Sequence, residues 1–69
     1  MQNIKALNPM NQQKVNDLLF WLLEYNEIKH KDWTNFEIKT NYKESLNNVA
    51  LLVTQLPSDE VSNVISSIQ

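Results

Sequence analysis

Cysteine, glycine and arginine are all absent from this 69-residue chain, and proline occurs only twice. Without cysteine there is neither a disulfide nor a thiolate metal site, two of the usual supports for so small a domain. The same absence fits a reducing compartment. Without glycine there is no phosphate-cradling loop and no easy route to a two-residue hairpin, which disfavours a sheet. Without arginine, all six cations are lysine in a chain of net charge −2, so the forked guanidinium favoured for phosphate and base recognition is missing. Long apolar runs are missing too. Leu18 to Leu23 is the longest, far below the roughly 20 residues needed to span a bilayer. The first ten residues carry Asn3, Lys5, Asn8 and Pro9 and have no signal-like apolar stretch. No membrane partner and a cytoplasmic location are the expectation.

What is present is helical in pattern. Asn8-Pro9 joins a capping residue to a proline suited to the first helical position, so a first helix is expected from about Pro9 to Ile28. At 100° per residue, Val15, Leu18, Leu19, Leu22, Leu23 and Tyr25 share a broad core face, with Gln13, Glu24 and Glu27 opposite. Asn41-Tyr42-Lys43-Glu44 has the spacing of a capping box. A second long helix is therefore placed from about Tyr42 to Leu56, burying Tyr42, Leu46, Val49, Leu52, Val53 and Leu56. Pro57 ends it. Ser58 is positioned to cap a third helix, with Asp59 and Glu60 at its positive dipole end and an apolar stripe of Val61, Val64, Ile65 and Ile68. Between the long helices, His30 to Thr40 is ambiguous. Thr34-x-x-Glu37 suits a short capped helix, whereas Phe36, Ile38 and Thr40 alternate like a strand; the short helix is favoured. The fold class is all-α, a three- or four-helix bundle in one domain over residues 1–69, with residues 1–8 extended or flexible.

The inventory for catalysis is thin. One histidine and no cysteine supply no convergent nucleophile, base and charge stabiliser, so no enzymatic activity, small-molecule substrate or cofactor is expected. Glu27-x-x-His30 matches the spacing found in di-iron bundles. A single copy flanked by Lys29 and Lys31 is better read as a solvated helix end, and no metal is expected. Lys29, Lys31, Lys39 and Lys43, interleaved with Trp33, Phe36 and Tyr42, form the alternative reading, a small DNA-binding regulator in which Asn35 or Asn41 reads bases. The acidic total and the missing arginine weigh against it.

The most informative feature is a misfit. The six apolar residues Leu18 to Leu23 sweep about 500° of helical turn and cannot all face one core. Phe20 projects among Gln13, Glu24 and Glu27, Trp21 lies on a flank with Met10 and Ile28, and Leu51 projects among Glu44, Asn47 and Gln55. Clustered exposed apolar groups mark binding surfaces. Phe20, Trp21, Leu51, Met10 and Ile28 are therefore the candidate partner-binding residues. The function expected is protein–protein interaction, as an adaptor, inhibitor or self-associating accessory protein. A homodimer would add the stability that a short chain lacks. Ten asparagines and lysine in place of arginine suggest an AT-rich genome, such as that of a low-GC bacterium, its phages or other mobile elements.

Overall fold

Asn8 starts the helical part of the chain as its sequence suggests. Its side-chain oxygen accepts the Met10 amide at 3.0 Å, and Pro9 opens a 3₁₀ turn, Pro9–Asn11, that leads into the first α-helix. The computed structural model describes residues 4–31 and 35–68. Among them are three α-helices and no strand: α1 (Gln12–Ile28), α2 (Phe36–Gln55) and α3 (Ser58–Ile68). The molecule is elongated, 40 × 21 × 16 Å, because α1 and α2 pack side by side along most of their length while the shorter α3 covers part of α1.

Helix α2 differs from expectation at its start. Asn35, in extended conformation, is the cap, and its side-chain oxygen accepts the Glu37 amide at 2.9 Å. The capping box at Asn41 to Glu44 is therefore not used, and Asn41 lies inside the helix. The physical reason is the absence of any breaker after Asn35. Thr40, the last residue of the strand-like alternation, returns its hydroxyl to the Phe36 carbonyl at 3.0 Å and so joins the helix. Instead of a separate short middle helix, residues from Phe36 onward extend α2. Thr34, the cap proposed for that helix, and Trp33 lie outside the described residues.

At the other junction, Leu56 is extended and Pro57 follows. The Pro57 carbonyl accepts the amides of Glu60 and Val61 at 3.1 and 3.2 Å. Ser58 is thus the first helical residue rather than the cap, one position later in role than its sequence suggested.

Ala6, Val15, Leu18, Leu19, Leu52, Leu56 and Val64 form the core, with Ile4, Trp21, Leu22, Val49, Val61 and Ile68 packed against it. Four residues assigned to core stripes are instead exposed: Leu23, Leu46, Val53 and Ile65. Three helices from a chain this short cannot cover the full apolar arc of each. Ser45, in contrast, is 1% exposed at the centre of the inward face of α2. A small side chain there lets α2 approach α1 closely, since the separation of packed helices follows the side chains at the contact.

Residues 4–8 form an extended strap across the start of α1 and α3. Gln12 clamps one side, its Oε1 accepting the Ala6 amide at 2.9 Å and its Nε2 donating to the Ile4 carbonyl at 2.8 Å. Asn63 on α3 donates to the Lys5 carbonyl at 3.1 Å. Glu60, which the sequence placed at the positive dipole end of α3, is 1% exposed. Its carboxylate accepts the amides of Leu7 and Asn8 at 2.8 and 3.0 Å and the Asn11 side-chain amide at 3.1 Å.

Candidate protein-binding site

A groove of about 270 Å³ opens between α1 and α2, with Phe20, Trp21, Glu24 and Ile28 on one side and Asn41, Glu44 and Ser45 on the other. Helical spacing assembles both walls. Trp21, Glu24 and Ile28 recur at intervals of three and four along α1, and Asn41, Glu44 and Ser45 do so along α2, so each set stays on one strip of its helix.

The aromatic shoulder of the groove is a pair of adjacent residues. Phe20 and Trp21 meet edge to face, with ring centroids 5.1 Å apart and planes at 87°, an arrangement their quadrupoles favour. Trp21 rests on the core and is half-buried, so the neighbouring Phe20, 45% exposed, is held out by a fixed support. Of the five candidate interface residues, Phe20, Trp21 and Ile28 line the groove.

Ile28 differs from the other two in burial, and Met10 and Leu51 lie elsewhere. Ile28 is 5% exposed; it closes the groove from within and offers a partner little surface, which corrects its place among exposed interface residues. Met10, 89% exposed, sits on the 3₁₀ turn before α1 and is absent from the groove lining. Leu51, 55% exposed, lies two turns beyond Glu44 on α2, likewise outside the lining.

The four lysines of the alternative reading, Lys29, Lys31, Lys39 and Lys43, are exposed and stand apart from the groove. Lys31 pairs with Glu27 at 3.9 Å. The helix ends at Ile28, so Glu27 and His30 do not share a continuous helical face. Among the described residues no group of three or more histidine, cysteine or acidic side chains is gathered for a metal, and no helix is long and apolar enough to cross a membrane.

Above the groove, Tyr25 on α1 stacks obliquely on Tyr42 of α2, with centroids 5.2 Å apart. A hydrogen bond to Tyr25, with burial adding to it, holds the Tyr42 phenol above its ordinary 10.0.

Glu24, Asn41, Glu44 and Ser45 were not among the candidate partner-binding residues, Asn41 having been named only as a base reader in the DNA-binding alternative. Each is polar, and a search for misplaced apolar residues passes over polar ones. The signal was nonetheless present as periodicity: the same three- and four-residue spacing that marks an apolar stripe also marks these residues as wall neighbours. The chain matches no known family model, no curated protein and no solved structure, so its function is read from its own residues.

Proposed function

We propose that this protein is a non-catalytic protein–protein interaction module that docks through the α1 shoulder formed by Phe20 and Trp21. The observation that carries the reading is Phe20, an aromatic side chain nearly half exposed yet braced edge-on by a core-supported tryptophan at the lip of a groove. Aromatic anchors of this kind dominate interface energetics, because a rigid ring contributes a large apolar area with little conformational entropy to lose. The face meets either a second copy or another protein, and self-association is the first expectation for a chain with so small a core.

Light scattering coupled to size exclusion, over a concentration series, tests the reading. A wild-type dimer that Phe20→Ala returns to monomer places the self-interface on α1. A wild-type monomer directs the search to a foreign partner whose capture depends on Phe20. A dimer whose mass Phe20→Ala leaves unchanged removes that residue, and with it the α1 shoulder, from the interface.

A further inference from the structure

Phe20 and Trp21 are one wall of the groove; its opposite character is anionic. Glu24 on α1 and Glu44 on α2 both line it, and neither makes an ion pair with a described residue, the pair found being Lys31 with Glu27. None of the described residues that line the groove is a cation. Asp17, half-buried, lies one turn before Trp21 on the same side of α1 and extends the negative potential along the seam.

A second observation is independent of charge. Ser45 lines the groove and is 1% exposed, yet its hydroxyl makes no hydrogen bond to a described residue. No fully enclosed side-chain oxygen or nitrogen among the described residues lacks a partner. The Ser45 hydroxyl therefore keeps a little surface, and as Ser45 lines the groove it is placed to accept a donor bound there.

We propose that this groove receives an arginine side chain from a foreign partner protein, with the guanidinium held between Glu24 and Glu44 and the aliphatic stem laid against Trp21 and Phe20. The proposal rests on the docking role of the α1 shoulder given above and names the chemistry of what docks there. Arginine suits the site better than lysine. A planar fork of five donors satisfies two carboxylates and a hydroxyl together, and its face stacks on aromatic rings. The volume of about 270 Å³ is below the usual range for drug-sized ligands, roughly 300–1,000 Å³, and is on the scale of a single side chain. This chain contains no arginine, so the occupant comes from another protein.

The test uses the full chain labelled with ¹⁵N and titrated with N-acetyl-argininamide, with N-acetyl-citrullinamide as the neutral control of the same shape. The expected result is saturable movement of the Trp21 indole N–H and of the Glu24, Glu44 and Ser45 amides with the arginine probe alone. In Glu24→Gln/Glu44→Gln, binding should be about tenfold weaker or lost. The variant's own spectrum reports its fold, and the single exposed-site change Glu44→Gln serves if the double variant is perturbed. Equal shifts with both probes, shifts confined to other residues, or unaltered binding in the variants would each overturn the proposal. A Phe20-dependent association that persists while arginine fails to bind would sink this inference and leave the interaction module standing; a second copy that seals the groove gives that pattern.

Discussion

A carboxylate stripped of water is costly unless its oxygens are occupied. Burial at Glu60 pushes its pKa up, but the amides of Leu7 and Asn8, aided by the Asn11 side chain, more than compensate and hold it below the ordinary 4.5. A folded-state pKa below the unfolded one contributes stability at neutral pH that is lost as the pH falls through the lower, folded value. Thermal melts recorded from pH 7 downward should show that loss below about 4.5. Glu60→Gln should melt at a lower temperature at pH 7 and lose much of the acid dependence. The variant's amide group replaces one acceptor by a donor facing another donor, so the Leu7 and Asn8 amides should also exchange faster with solvent. A variant as stable as wild type with the same acid profile would mean that the strap is held by Gln12 and Asn63 without Glu60.

Element boundaries depend on which of several capping residues the chain uses. Asn35 and Asn41 both begin acceptable helix starts, and the structure uses Asn35. Asn35→Ala should therefore cost about 1 kcal/mol, the usual loss of a cap. Asn41→Ala, inside α2, should be neutral or slightly stabilising, since alanine is the better helix former. Urea denaturation of the two variants checks this, and the reverse order would restore the helix start at Asn41. The same competition explains the one-residue shift at Ser58. Pro57 cannot extend α2, and its carbonyl accepts the first amides of α3, so the serine is drawn into the helix.

Across the whole molecule, the balance between a small core and wide apolar arcs sets the behaviour. Leu23, Leu46, Val53 and Ile65 remain exposed beside Phe20 and Leu51, more apolar surface than three short helices can enclose. Association that covers such surface stabilises the folded state by mass action. For a self-associating chain, the thermal midpoint should rise with protein concentration, and Phe20→Ala should flatten that dependence in scanning calorimetry. A midpoint independent of concentration for wild type would point to a monomer that meets a foreign partner.

Much of this was legible in the sequence. The all-α class followed from three- and four-residue apolar spacing and the lack of glycine, the start of α1 from Asn8-Pro9, and the break before α3 from Pro57; these are local preferences that need no knowledge of distant residues. The exposure of Phe20 was also local, since six consecutive apolar residues overfill any single helical face. Ile28 on the inside, Ser45 at the helix contact and Glu60 beneath the strap were not legible, because their environments are made by residues far away in the chain. The bond from Leu7 to Glu60 joins opposite ends of the sequence, and the groove exists only where α1 meets α2. Sequence alone determined the helical class, the start at Asn8-Pro9 and the break at Pro57, for periodicity and capping act within a few residues, but it misplaced the start of α2. Tertiary structure decided which polar groups are buried and which carboxylates face an aromatic wall, because burial and electrostatic surroundings belong to the packed molecule and not to any one segment of it.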